Sequence, residues 1–398
     1  MIKRVAVVAY ACDPYGGSEG AVGWSMVSAL AEKFELIVIV EKDKFEHLII
    51  KAIEENITKL KIEQFVFISR SRWNNLRKLW PPSYFVSYRI WQRKARSFLE
   101  ENISEYDLIY HSTLVGYRTP GDYYKVGKPV YWGPVGGSGY FSFKYFQYIS
   151  LYGKAYYTAY NIFNFLQLNL SIRLANNISG IRKGGGKIFA ADLENYERLS
   201  SRYGPIDGFF SEVSTPEVID FEHHSIDEHR LLWVGLLEDR KGFELALEIM
   251  RKLKNTPYYL EVYGTGKQKA RYEKIVSDDD LNINFVGRVS REDILQKMTT
   301  SRCLLFTSFR DLTATVTVEA NSMGLPIVAI RHCGYGHWLN KRYNSWIGKD
   351  EKSSALAQSF VFAINWTGHT DVRNRKALQT WTRNSFSKHL KVQQLLDD

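Results

Sequence analysis

Short runs of valine, isoleucine and leucine alternate with helical patterns along this chain, and the rhythm stops once and starts again. VAVVAY (5–10) precedes VGWSMVSALAEK (22–33), and LIVIV (36–40) precedes a helical pattern around residues 46–55. FVFI (65–68), DLIYHS (107–112) and PVYW (129–132) read as further strands. Beyond the polar stretch at 214–230 the series resumes with LLWVG (231–235), LEVYG (260–264), INFVG (283–287), CLLF (303–306) and PIVAI (326–330). Parallel strands joined through helices need right-handed crossovers and a sheet covered on both faces. The pattern therefore predicts an α/β chain of two Rossmann-like domains, with parallel sheets facing a central cleft, at residues 1–216 and 217–373. A chain of 398 residues is long enough to bury two such cores. The segment 374–398 has a helical pattern with Trp381, Phe386 and Leu390 on one face, and is expected to pack back on the first domain.

Charge is unevenly placed. The net charge is +10, and residues 61–100 hold nine Lys/Arg against two Glu. From Tyr123 to Ala191 there are eight Lys/Arg and no acidic residue. The segments 69–98 and 140–168 interleave these cations with Trp, Tyr and Phe, a composition suited to an anionic membrane surface. A solvated or core helix is the plainer reading. Nucleic acid is not expected, because no recognition module accompanies the basic residues. Cys12, Cys303 and Cys333 are too scattered for a disulfide framework or a metal spacing, so reduced thiols in a cytoplasmic protein are expected. The first residues do not read as a signal peptide, and no run of 18 apolar residues is present to span a membrane.

The stretch SFRDLTATVTVEANSMGLPIVA (308–329) carries the clearest chemistry. Asp311 and Glu319 are separated by seven residues, and the apolar spacing predicts a helix starting near Thr315. Free amides at such a start form a seat for phosphate. Glu319 within the first turns is suited to accept hydrogen bonds from sugar hydroxyls. Phosphate and polyol together point to a nucleotide sugar. Gly16 and Gly17, directly after the first strand, would let a ligand approach bare backbone there.

Taken together these motifs resemble a family 4 retaining glycosyltransferase of the GT-B fold. The resemblance rests on Asp311, Glu319-Ala320 and Gly324-Leu325-Pro326, on Gly17-Ser18-Glu19 with Val22-Gly23-Trp24, and on Gly133–Gly137. It implies that Glu319 holds the donor ribose, Asp311 contacts the donor sugar and Lys241 neutralises the departing diphosphate. It also implies that His111 lies under the donor sugar and that Gly16 and Gly17 bring amides toward the diphosphate. Further donor contacts are implied at Arg240, Gly264, Arg288 and Leu312-Thr313-Ala314-Thr315, with the base resting near Gly287 and Arg288. Leu236 stands where many members carry an arginine, and Arg240 beside Lys241 is the candidate replacement.

The implied activity is metal-independent, cofactor-free hexosyl transfer from a nucleoside-diphosphate sugar to a glycan. The acceptor would be a lipid-linked precursor of a capsule, O-antigen or similar surface polysaccharide, met at the inner face of the plasma membrane. Two other readings stand beside it. One is an inactive relative serving as a binding or scaffolding subunit, suggested by Leu236 and Asp311. The other is an oxidoreductase on nucleotide sugars, since Gly16, Gly17 and Gly20 with Glu41 or Asp43 imitate a dinucleotide turn. Asp278-Asp279-Asp280 is expected to be a solvated loop, and Gly184–Gly186 a flexible basic loop lacking the Lys-Ser/Thr of a phosphate loop.

Overall fold

The computed structural model describes residues 3–16, 18–55, 62–79, 83–215, 225–338, 342–348, 351–366 and 372–387. It contains two six-stranded sheets, every recorded strand pair being parallel. The first comprises β1 (Arg4–Val8), β2 (Glu35–Glu41), β3 (Ile62–Ile68), β4 (Leu108–His111), β5 (Val130–Val135) and β6 (Lys187–Ala190). The second comprises β7 (Asp227–Val234), β8 (Tyr259–Tyr263), β9 (Ile283–Gly287), β10 (Ser301–Phe306), β11 (Ile327–Ile330) and β12 (Ser345–Ile347). Their spatial orders, β3-β2-β1-β4-β5-β6 and β12-β11-β10-β7-β8-β9, are the same doubly wound topology met twice. In such a sheet the chain reverses direction of winding between the first and fourth strands, and loops leaving their carboxyl ends frame a crevice. Those pairs are β1 with β4, where Val8 faces His111, and β7 with β10, where Leu231 faces Cys303.

Alternation along a strand sends neighbouring side chains to opposite faces. In the second sheet Leu231, Trp233, Cys303 and Leu305 enter one buried cluster with Phe243, Leu247 and Phe360, while Leu232, Leu304 and Phe306 enter another with Met298 and Ala320. Both faces are thus covered, which explains the unbroken apolar runs. In the first sheet Glu41 ends β2 and starts the next helix at once. Its carboxylate accepts from the Asp43 and Lys44 amides at 2.8 and 3.0 Å, capping the helix Lys42–Glu54.

The described chain divides into two compact units, residues 1–139 with 164–214, and residues 140–163 with 215–387. Two segments therefore lie elsewhere than expected. Residues 140–163 pack with the second unit. Tyr145 stacks on Phe309 with ring centres 4.6 Å apart, and Phe141 stacks on Tyr157 at 4.1 Å, within the cluster around Trp233 and Phe243. The helix Val372–Ser385 also packs in the second unit, against the helix Thr315–Ser322, and not on the first domain. Its buried Arg375 donates to the Thr299 carbonyl at 3.1 Å, and also to the Ser301 carbonyl. Residues 388–398 of the expected terminal helix, the link at 216–224 and Gly17 lie outside the described residues. Among the described residues no helix is long and apolar enough to cross a membrane.

Candidate active site

The loop leaving β7 makes a short helical turn, Asp239–Lys241, closed by Gly242 at φ +67°. Glycine is required there: a Cβ would sit 2.2 Å from the Thr307 carbonyl oxygen. The turn thereby lies against the end of β10. Phe309 N–H donates to the Arg240 carbonyl at 2.8 Å, and Thr307 Oγ1 donates to the Lys241 carbonyl at 3.0 Å. This lacing brings the cations of one loop to the carboxylate of the other. Asp311 accepts from Lys241 Nζ at 2.6 Å, Arg240 Nη1 at 2.9 Å and Ser308 Oγ at 2.7 Å. Burial works against its ionisation, but Lys241 and Arg240 outweigh burial and hold its pKa below the ordinary value. Arg240 also pairs with Glu238 at 2.6 Å. Leu236, where a second cation was expected, is half exposed. Arg240 instead points the same way as Lys241.

The helix predicted near Thr315 spans Thr315–Ser322, and no side chain caps its start. Ala314 precedes it at φ +51°, an uncommon conformation for a residue with a Cβ. Thr313 is buried, while Leu312, Ala314 and Thr315 are partly accessible at that end. Glu319 projects from the second turn, only 12% exposed at its side chain, and pairs with Arg291 at 2.7 Å. Burial raises its pKa against the pull of Arg291. The neighbouring strand ends meet backbone to backbone. Gly264, at φ +143°, donates its N–H to the Gly287 carbonyl at 2.7 Å, and a Cβ on it would fall 1.8 Å from the Gly235 oxygen. Arg288 follows Gly287 and is exposed.

At the corresponding position in the first unit, Gly16 N–H already donates to Asp13 Oδ1 at 2.9 Å. His111 ends β4 fully buried, its Nε2 3.2 Å from the Tyr88 hydroxyl and its ring edge-on to Tyr123. Burial depresses its pKa to about 3, so the imidazole is neutral. Glu41 and Asp43, the carboxylates of the dinucleotide reading, both pair with Arg70, at 3.0 and 3.1 Å. They are committed to local structure. In the acidic triplet Asp279 pairs with Arg251 and Asp280 with Lys254, and among the described residues no group of three His, Cys, Asp or Glu is placed to hold a metal. Gly186 belongs to a tight turn, where a Cβ would meet the Val130 oxygen at 2.2 Å.

The family model for glycosyl transferases group 1 matches residues 217–373, the stretch that holds Lys241, Asp311 and Glu319. Within that stretch the chain is similar to group 1 glycosyltransferases, and the chain as a whole has the GT-B fold. The amylovoran biosynthesis glycosyltransferase AmsK of Erwinia amylovora is 25% identical over 181 residues, 42% of this chain and 44% of that protein. The lipopolysaccharide glucosyltransferase WaaG of Escherichia coli K12 is 23% identical over 157 residues, 38% of this chain and 42% of that protein. The matched stretches span less than half the length of these curated relatives. Among solved structures, Anabaena HepE in complex with UDP and glucose superposes with TM-score 0.58 at 13% identity, covering 99% of both chains. WaaG superposes with TM-score 0.54 at 16% identity, covering 98% of both.

The roles of several residues that shape the site escaped the reading of the sequence. Ser308 and Arg291 partner the two carboxylates, and Glu19 accepts from the Leu114 amide at 2.5 Å, fastening the glycine-rich turn to the loop after β4. His332 lies behind Asp311. Its Nε2 is 2.9 Å from the Ser308 carbonyl, which can only accept, so Nε2 carries the proton and Nδ1 accepts from the Cys333 thiol at 3.1 Å. Burial lowers the His332 pKa from 6.5 to about 4. The unfolded chain thus takes up the proton first as pH falls. The stabilisation is complete above pH 6.5 and is lost as pH drops toward 4. Since the side chain is only partly enclosed, about 2 kcal/mol is expected from this group. Melting temperature followed from pH 7.5 to 4 should fall less steeply in His332→Gln than in the parent; parallel curves would refute the assignment.

Proposed function

We propose that this chain moves a hexose from a nucleoside-diphosphate sugar to a glycan, with retention of anomeric configuration and without a metal or cofactor. The observation that carries the reading is the convergence of Lys241, Arg240 and the uncapped helix start at Thr315 around the loop ends of β7 and β10. Breaking a sugar–phosphate bond leaves charge on a nucleoside diphosphate, and fixed cations and amide dipoles stabilise it without rearrangement. Glu319 would exchange Arg291 for the ribose hydroxyls, and Asp311 would contact the sugar while holding Lys241 in place. Gly264, Gly287 and Arg288 would border the base. His111, fully buried and neutral beside Tyr88, presents no accessible atom to a donor, so its implied role would be one of positioning the end of β4; Gly16 keeps its implied backbone role. The names of AmsK and WaaG support a polysaccharide or lipopolysaccharide acceptor; that it is a lipid-linked precursor met at the cytoplasmic face of a membrane is part of the proposal. A scaffolding subunit is the second reading. It draws on exposed Leu236 and on the balance of two cations by Glu238 and Asp311.

A melting-temperature panel with UDP, GDP, ADP and dTDP tests the donor site, because a ligand that prefers the folded state raises its melting point. One nucleotide should raise it by several degrees; a flat panel would overturn the reading. Slow release of that nucleoside diphosphate from its hexose donor then separates enzyme from scaffold. Glu319→Ala should raise the donor KM about 10–100-fold, the loss expected when hydrogen bonds to a charged group disappear. An unchanged KM would remove Glu319 from the donor site.

A further inference from the structure

The first unit carries an apolar corner beside a group of unneutralised cations. Leu170 ends the helix Leu151–Leu170, Ser171 caps the next helix by accepting from Leu174 N–H at 3.2 Å, and Ile172 opens it. The two aliphatic side chains flanking that capped joint are 69% and 75% exposed. An aliphatic pair is seldom left so open on a fixed corner, whereas scattered single exposures are ordinary. Ile172 also lines a concavity with Arg89, Arg93, Lys125 and Arg173. Arg89 and Arg93 stand one turn apart on the helix Ser83–Glu101, and Phe85, one turn earlier, is half exposed on the same side. The single carboxylate of this concavity, Asp122, is taken by Arg173 at 2.8 Å and by Asn177. Among the described residues Arg89, Arg93 and Lys125 make no ion pair. Burial first, and then the like charge of Arg173, lowers the pKa of Arg89, which is what crowding of cations without a counter-ion produces.

We propose that this corner docks on an anionic bilayer, with Leu170 and Ile172 entering the headgroup boundary while Arg89, Arg93 and Lys125 bind lipid phosphates. Charge complementarity selects the occupant: four cations line the concavity, and no acidic residue occurs in sequence from Tyr123 to Ala191. An apolar wedge alone would equally suit a protein groove. Joined to exposed guanidinium groups it suits the boundary between acyl chains and anionic headgroups. The surface deepens the reading of a membrane-borne acceptor, since it would hold the enzyme where such an acceptor is found.

Co-sedimentation of the full chain with vesicles tests the proposal. Phosphatidylcholine vesicles containing phosphatidylglycerol should bind at least about tenfold better than pure phosphatidylcholine, and most of that binding should vanish near 0.5 M salt, where screening is within about 4 Å. Arg89→Glu with Arg93→Glu should lower binding about tenfold or more. Leu170→Ser with Ile172→Ser should lower it several-fold while leaving the salt dependence in place. Circular dichroism melting checks that both pairs remain folded, and Lys125→Glu gives a third, single-residue reading if either pair does not. Indifference to phosphatidylglycerol, or parent-like binding by both pairs, overturns the proposal. Displacement from vesicles by millimolar glycerol phosphate would also overturn it, by making the concavity a site for free phosphate esters. So would vesicle-independent capture of a protein partner lost in Arg89→Glu with Arg93→Glu. The nucleotide melting shift is measured alongside: vesicle binding that fails while the shift persists removes the bilayer and leaves the donor reading standing.

Discussion

If Lys241 serves the proposed transfer, Lys241→Ala will lower its kcat about 10²–10³-fold, equivalent to about 3–4 kcal/mol of lost barrier stabilisation. The magnitude follows from where charge appears. In the resting site Lys241 Nζ is 2.6 Å from Asp311, so the ammonium is held in place before any donor arrives. A group already fixed does not have to be reorganised when the leaving diphosphate develops its charge. Removing it leaves Arg240 as the remaining partner on Asp311, with Ser308 still donating to the carboxylate. Asp311 therefore stays satisfied well enough for the loop to keep its shape, and the melting temperature should move by only a few degrees. Donor KM should change less than kcat, because the proposed ribose and base contacts lie at Glu319 and beyond Gly287. Steady-state kinetics on parent and variant read the split directly. A kcat within threefold of the parent would show that Lys241 only neutralises Asp311.

The strands were legible because parallel strands buried on both faces must be apolar throughout, and VAVV, LIVIV, CLLF and PIVAI are. The edges were not. β6 has four residues and begins with a half-exposed lysine, and β12 has three, so neither shows enough pattern to stand out from a loop. The candidate carboxylates were legible through their spacing from the Gly-Leu-Pro turn, but their partners were not. Asp311 meets Lys241 and Arg240 across seventy residues, and Glu319 meets Arg291 across twenty-eight. Contacts of that span depend on the order of strands in the sheet, which local periodicity does not encode. The aromatic stretch from Tyr140 shows the same limit from another side. Its composition announced that many rings needed a surface, yet only the fold reveals that Phe141, Tyr145 and Tyr148 find it on the second unit while Phe143 and Tyr152 remain exposed.

Arg375→Ala should destabilise the second unit by about 3 kcal/mol, within the range for breaking a buried charged hydrogen-bond network. Arg375 is only 2% exposed, and although burial lowers its pKa to about 10 it stays charged at neutral pH, a buried charge that needs acceptors in what it touches. What it touches are the carbonyls of Thr299 and Ser301, where the helix Arg291–Thr300 gives way to β10. A helix end leaves carbonyls without partners, and a cation there satisfies them while favouring the negative end of the dipole. Alanine would strip those carbonyls of their donor inside the core, and water could not readily replace it. The consequence reaches the chemistry. β10 carries the loop that ends at Asp311, and the helix Arg291–Thr300 carries the partner of Glu319, so both candidate carboxylates are framed by elements that Arg375 joins. Denaturant unfolding should therefore show a lowered midpoint, and the nucleotide-induced melting shift should shrink with it. Arg375→Lys, which keeps one charged donor, should recover part of both. If alanine left the midpoint unchanged, the helix Val372–Ser385 would not be anchored on the second unit, and the sequence-based expectation that it returns to the first would regain its standing.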